Sequence, residues 1–96
     1  MKPETMAPLS RHCTIVNKRG LHARASAKFV QMVEKFQADV SVSKDGTSVG
    51  GTSIMGLMML AASTGCSIEI SAKGPEAEEA LDALEALIAN KFGEDA

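Results

Sequence analysis

The 96-residue chain contains no tryptophan and no tyrosine, and three phenylalanines are its whole aromatic content. It also has no excess of positive charge, because its formal net charge is −2. Proteins that bind nucleic acid usually combine a basic face with aromatic side chains that stack on bases. The composition therefore argues against a nucleic-acid-binding protein, and a small fold that binds RNA on its sheet is the weakest alternative.

Long apolar runs and clustered metal ligands are missing as well. No run approaches the roughly 20 apolar residues needed to cross a bilayer, and the N-terminal MKPETMAPLSR is too polar for a signal peptide. We therefore expect a cytoplasmic protein with no direct membrane insertion. The separation of Cys13 and Cys66 fits no metal-ligand spacing, so we predict buried or half-buried thiols and no metal or cofactor.

Hydropathy patterning predicts one domain over residues 11–96, preceded by a loose tail at residues 1–10. Each predicted helix has one apolar stripe and each predicted strand one apolar face, which is typical of two packed layers. We therefore predict a monomeric α+β protein, a βαββαβα open-faced sandwich whose four-stranded antiparallel sheet carries three helices on one face. The predicted strands are 12–17, 38–43, 47–49 and 66–71, and the predicted helices are 21–36, 54–62 and one that begins at Pro75.

The segment RGLHARAS, residues 19–26, places His22 between the first strand and the first helix. Histidine is not a favoured N-cap, so stability alone does not explain it there. Gly20 leaves the approach to the ring open, and Arg24 can turn its guanidinium toward an anion. A neutral imidazole can attack phosphorus, and a helix N-terminus with an arginine can hold the phosphoryl group. The pattern favours His22 as a phosphoryl carrier over the alternative, an ordinary exposed loop residue.

Ser53 precedes the second predicted helix and is a good N-cap. A phosphoserine is also tolerated electrostatically at a helix N-terminus. The local pattern by itself favours capping over regulation.

The stretch IMGLMML, residues 54–60, contains three methionines. If Leu57 and Leu60 face the core with Ile54 beside them, Met55 and Met58 point outward. A methionine stripe at helical spacing is more often core, but a short helix cannot bury every side. Exposed methionines suit a surface that accepts several partners.

GLHARAS resembles the active-site segment of the HPr family, the histidine-containing phosphocarriers of the bacterial phosphotransferase system. TSIMGLMML resembles that family's regulatory-serine segment, and the match runs from about residue 11 to residue 92. The resemblance implies that Nδ1 of His22 takes a phosphoryl group from enzyme I, which draws it from phosphoenolpyruvate, and passes it to an enzyme IIA. The chain would then be a phosphoryl-transfer relay rather than a free-standing enzyme.

The resemblance also implies roles for other residues. Arg24 corresponds to the active-site arginine that stabilises the phosphate, and Ser53 to the serine modified by HPr kinase/phosphorylase, with capping as a compatible second role. A phosphate on Ser53 would weaken docking of enzyme I on an apolar patch. The residues that match this docking patch are Met55, Leu57 and Met58. Ala25 departs from the family, which usually has proline there.

Two alternatives stay open at this point. The carrier could serve sugar uptake or its regulation, or a nitrogen-type regulatory branch of the phosphotransferase system. Alternatively, the chain could be a binding module controlled by Ser53 in which His22 is idle.

Overall fold

A computed structural model describes residues 8–96. The predicted order βαββαβα is confirmed, and one short turn follows the last helix. The strands are β1 (Leu9–Thr14), β2 (Asp39–Lys44), β3 (Thr47–Gly50) and β4 (Ser67–Lys73); the helices are α1 (Ala23–Val33), α2 (Ile54–Met59) and α3 (Ala77–Ala89), and the final turn is Lys91–Gly93.

The four strands form one antiparallel sheet in the order β1-β4-β2-β3. Val42 of β2 lies opposite Ile70 of β4, and both side chains are buried beneath the helices. Their neighbours Ser41 and Ser71 also lie opposite each other, on the uncovered face. The open-faced sandwich with three helices on one face is therefore confirmed.

The hairpin between β2 and β3 turns at Asp45 and Gly46, as the Asp-Gly pair predicts. Both residues have positive φ, 50° and 85°. A two-residue turn of this kind matches the twist of the flanking strands.

Several element boundaries differ from the predicted ones. Helix α1 has 11 residues and ends at Val33, short of the predicted residue 36. Helix α2 ends at Met59 instead of residue 62, because Ala61 adopts a left-handed φ of 53° that an α-helix cannot continue through.

Strand β1 begins at Leu9, so the predicted boundary between tail and domain at residue 11 falls inside this strand. Leu9 and Ser10 extend it because β4 continues to Lys73 and supplies their pairing partners, Ala72 and Ser71. The predicted tail otherwise falls on residues 1–7, which lie outside the described residues.

The core lies between the sheet and the helices. Ala25, Phe29 and Val33 form the buried stripe of α1, whereas Phe36, beyond its end, and Leu87 of α3 are only half-buried. Arg11 fastens β1 to α3 by ion pairs to Asp82 at 2.6 Å and Glu85 at 2.7 Å. No helix among residues 8–96 combines the length and the apolar character that a bilayer span requires. The largest fully buried apolar side chains are Ile15, Phe29, Val42, Leu57, Ile68, Ile70, Leu81, Leu84, Ile88 and Phe92.

Candidate functional site

The loop that leads into α1 is held by backbone contacts with the segment after α2. Leu21 N–H donates to the carbonyl of Ala62 at 2.9 Å, and Gly20 has a φ of 67°. A Cβ on Gly20 would lie 2.4 Å from the Ala62 oxygen. Glycine is therefore required for close packing and for its backbone conformation, and not only for the open approach to the ring that its position predicts.

His22 is the N-cap residue of α1, with extended backbone (φ −76°, ψ −179°). Its carbonyl accepts the first helical bond from Ser26 N–H at 2.8 Å. Within residues 8–96, no side chain caps this helix end. The amides of Ala23, Arg24 and Ala25 have no partner within the helix, so they can donate to an anion. Ala25 contributes an N–H that a proline would lack.

The ring of His22 is fixed by a carboxylate from the other end of the chain. Nε2 of His22 lies 2.5 Å from Oε2 of Glu94, and the two side chains are only 16% and 17% exposed. The second carboxylate oxygen of Glu94 accepts a hydrogen bond from Asn17 Nδ2 at 3.0 Å. Asn17 is fully buried and also donates to the carbonyl of Gly20 at 2.9 Å. These contacts join the loop, the ring and the C-terminal segment.

The charge state of Glu94 follows from these contacts. The Asn17 amide above all, and also the His22 ring, lower the pKa of the Glu94 carboxyl below its ordinary value of 4.5. An ionised carboxylate only accepts hydrogen bonds, so His22 donates through Nε2. In the neutral ring, the lone pair is then on Nδ1.

A left-handed turn brings Glu94 to the ring. Lys91, Phe92 and Gly93 have φ values of 57°, 54° and 79°. This conformation costs about 1–2 kcal/mol for each residue other than glycine. Burial of Phe92 offsets much of that cost, at about 1.5–3 kcal/mol, and Lys28 Nζ donates to the Phe92 carbonyl at 2.6 Å.

His22 lies in a shallow, open depression of about 370 Å³. Arg24 is exposed and also lines this depression. Four cationic side chains therefore surround the histidine, together with two carboxylates. The lining residues are Lys18, Arg19, His22, Arg24, Lys28, Gly93, Glu94, Asp95 and Ala96.

Ser53 caps α2, as its sequence position predicts. Its Oγ accepts a hydrogen bond from Gly56 N–H at 2.9 Å, and the side chain is exposed. A Cβ on Gly56 would lie 2.8 Å from that hydroxyl oxygen and 3.0 Å from Cβ of Val49. Glycine at this position therefore lets the cap form while α2 packs against β3.

The outer side of α2 is an apolar surface formed by Ile54, Met55, Met58 and Met59, here named the α2 patch. Met55 is 72% exposed and Met58 43%, so the outward orientation predicted for these two residues is confirmed. Leu57 is completely buried and cannot touch a partner, so its assignment to the docking surface is wrong. Ile54, expected beside the core, lies in the patch instead.

His22 and Ser53 lie near opposite ends of α2. A small depression joins His22 to Ala61, Ala62 and Ser63, which follow this helix, whereas Ser53 precedes it. Six residues of α-helix span about 9 Å.

Asn17, Glu94 and Lys28 were not identified from the sequence. Asn17 looked like an ordinary turn residue, and Glu94 looked like a residue beyond the last helix. Their polar type was the only signal, since the contacts join positions more than 60 residues apart.

The thiols of Cys13 and Cys66 are unpaired, the first buried and the second half-buried, as predicted. In the described part of the chain, His, Cys, Asp and Glu side chains nowhere gather in threes as a metal site would require.

Comparison with known proteins gives consistent matches over nearly the whole chain. The sequence profile of one family, described as "PTS HPr component phosphorylation site", matches residues 9–90. The phosphocarrier protein HPr of Cupriavidus necator is 54% identical over 86 residues, which cover 90% of this chain and 97% of that protein. The phosphocarrier protein NPr of Shewanella violacea is 39% identical over 89 residues, covering 93% and 98%.

Solved structures agree with these sequence matches. The crystal structure of HPr-C-His from Thermoanaerobacter tengcongensis has a TM-score of 0.87 and 45% sequence identity, and the match covers 92% of this chain and 99% of that one.

Proposed function

The chain belongs to the HPr family of phosphocarrier proteins of the phosphotransferase system, and on that basis we propose that His22 accepts a phosphoryl group from phospho-enzyme I and passes it to an enzyme IIA. One observation carries the assignment to His22. Its Nε2 is engaged by Glu94 at 2.5 Å, so Nδ1 is the ring nitrogen left for chemistry, at the uncapped start of α1.

The proposed transfer needs only groups already at this helix end. The lone pair of Nδ1 attacks phosphorus, the new N–P bond forms, and the bond to the donor breaks with its electron pair returning to the donor. The amides of Ala23, Arg24 and Ala25 and the Arg24 guanidinium hold the phosphoryl oxygens. An exposed helix N-terminus stabilises an anion by about 0.3–1 kcal/mol, which is modest enough for a carrier that must release the group.

Docking and regulation are assigned to the α2 patch and Ser53. Met55 and Met58, joined by Ile54 and Met59, offer the adaptable apolar contact that enzyme I and enzyme IIA would share. HPr kinase/phosphorylase would modify the exposed Ser53. The phosphate would add about −1.5 to −2 charges at the edge of this patch and weaken docking through desolvation and repulsion.

Intact-mass spectrometry at alkaline pH tests the relay after incubation with phosphoenolpyruvate and enzyme I. We expect one phosphate on the natural chain and on Ser53→Ala, and none on His22→Ala. A phosphate that persists on His22→Ala would contradict the assignment. So would a natural chain that stays unmodified while the same enzyme I phosphorylates another carrier.

The family includes phosphocarriers named HPr and NPr, and this chain is similar to both. We propose that the enzyme IIA that accepts the phosphoryl group determines whether the chain serves the sugar or the nitrogen-type branch of the phosphotransferase system. The phosphorylated chain would be offered in turn to a sugar-type and a nitrogen-type enzyme IIA, and the faster acceptor identifies the pathway.

A Ser53-controlled binding module with an idle His22 is the second candidate, favoured by the exposure of Ser53 and of the α2 patch. It predicts that Ser53→Asp changes partner binding while His22→Ala leaves the biological output intact. Loss of output in His22→Ala would exclude it.

A further inference from the structure

We infer that Glu94 is a positioning residue for His22, which keeps a proton on Nε2 and so presents Nδ1 as the nucleophile, a role that rests on the proposed phosphoryl transfer. Glu94 itself touches neither the phosphoryl group nor the donor in this scheme. It acts through the ring.

Both carboxylate oxygens of Glu94 have a fixed partner, which prevents the side chain from turning away. Oε2 accepts from His22 Nε2 at 2.5 Å, and Oε1 accepts from Asn17 Nδ2 at 3.0 Å. Asn17 has no exposed surface and is anchored through Gly20, in the loop that carries His22. Glu94 is therefore held by two residues of the loop before α1, Asn17 and His22, and its position fixes the orientation of the ring.

The backbone conformation immediately before Glu94 brings its side chain to the ring of His22. Two non-glycine residues, Lys91 and Phe92, adopt left-handed φ values immediately before Gly93, and the Phe92 side chain is buried. Lys28 of α1 donates to the Phe92 carbonyl at 2.6 Å and fastens the turn to the helix that carries the site. Strained residues held by their surroundings in this way are typical of functional sites.

The carboxylate also matches the charge that the transfer creates. When Nδ1 forms the N–P bond while Nε2 keeps its hydrogen, the ring becomes a cationic imidazolium. Glu94 compensates that charge, as a carboxylate does for a catalytic histidine, so no proton has to leave the ring in either direction of transfer. The N–P bond of the cationic ring breaks with its electron pair returning to a neutral imidazole, which favours onward transfer.

The first measurement is ¹⁵N-edited NMR of the unphosphorylated natural chain, with the ring of His22 labelled. We expect a downfield, slowly exchanging proton on Nε2, which is lost in Glu94→Ala. A proton on Nδ1 instead, or an Nε2 signal unchanged in Glu94→Ala, would overturn the inference. This result does not depend on enzyme I.

The second measurement is the rate of phosphoryl transfer from enzyme I to Glu94→Gln, which keeps the side-chain shape and removes the charge. We expect kcat to fall about ten- to hundredfold, as for other groups that orient a histidine, with KM nearly unchanged. Glu79→Gln is the matched control: it makes the same change at an exposed position in the first turn of α3, outside the depression that holds His22, and should transfer at the natural rate.

The NMR and transfer-rate measurements together distinguish a failure of the role of Glu94 from a failure of the proposed function. If the natural chain accepts phosphate and Glu94→Gln transfers equally fast, the role of Glu94 is wrong and the relay stands. If the natural chain accepts none, the proposed function fails, and the NMR result alone decides whether Glu94 orients the ring.

Discussion

Helix α1 begins at His22, whose side chain turns away to Glu94 and leaves the first amides open, whereas α2 begins at Ser53, whose hydroxyl accepts a bond from Gly56. Both residues have extended backbone and occupy the same N-cap position. The two helix starts therefore differ mainly in where the cap side chain makes its hydrogen bond.

The difference shows how a fold divides stability from reactivity. A serine cap is worth about 1 kcal/mol relative to a residue that cannot cap, and α1 forgoes this at the point where the proposed phosphoryl group would bind and leave. At α2 the Ser53 hydroxyl satisfies the amide of Gly56, so this helix start is stabilised by the protein itself, and a modification of Ser53 would disturb it.

Replacing His22 at the start of α1 by serine, the cap residue of α2, gives the largest expected effect. His22→Ser should abolish phosphorylation by enzyme I, because a serine hydroxyl is a far weaker nucleophile than an imidazole nitrogen and would bond to the helix amides as a cap. The new cap should add up to about 1 kcal/mol of stability, which offsets the lost contact with Glu94. Intact mass and thermal unfolding measure the two effects. A phosphate that still appears on this variant would contradict the account.

A negative charge added at the start of α2 gives the next largest expected effect. Ser53→Asp places a carboxylate beside the α2 patch, and we expect the KM for transfer from enzyme I to rise about tenfold, equivalent to about 1.4 kcal/mol, with kcat retained. Ser67→Asp, at an exposed position of β4, is the control and should leave KM unchanged. Equal effects in the two variants would show that net charge, and not the patch, is responsible.

Removing the cap without adding charge should affect the fold alone. Ser53→Ala leaves the Gly56 amide without its acceptor and should cost about 1 kcal/mol, which lowers Tm by about 4–8 °C in a domain of this size. Phosphorylation of His22 should be unchanged. Thr52→Ala provides the comparison, since Thr52 is exposed and precedes the cap. A matching loss of Tm in that variant would argue against a specific cap.

Lowering the pH gives the smallest expected change in stability, and this change is specific to the contacts of Glu94. The lowered pKa of Glu94 means that its contacts stabilise the fold above the carboxyl's ordinary value of 4.5, and that this stabilisation is lost as pH falls through the folded-state pKa below it. The stability difference between the natural chain and Glu94→Gln should therefore shrink below pH 4.5 in denaturant titrations. The difference for Ser53→Ala should stay constant, because a hydroxyl and an amide do not titrate there.

Local pattern was sufficient for much of this molecule. The element order, the buried stripe of α1, the Asp45–Gly46 turn and the Ser53 cap all follow from spacing and residue type within a few positions. His22 stood out because histidine is a poor cap and a good nucleophile. The error at Leu57 came from the family resemblance, which includes this residue in the docking patch, whereas helical spacing places it toward the core, where its side chain is buried.

The partners of the histidine could not be predicted in the same way. Glu94 reaches His22 across 72 positions of sequence. Its placement depends on a left-handed turn at Lys91 and Phe92, a conformation that no local preference of lysine or phenylalanine favours. Such contacts are properties of the assembled fold.

The strand order has a consequence for how the chain folds. The hairpin of β2 and β3 is local and can form in about 1–10 μs, but β4 must enter between β1 and β2, and β1 pairs with it from the far end of the sequence. Closing such long loops costs entropy before any contact repays it, which slows folding. The His22 loop is anchored by Ala62, which precedes β4, and by Glu94, so we expect the proposed phosphoryl site to form together with the completed sheet.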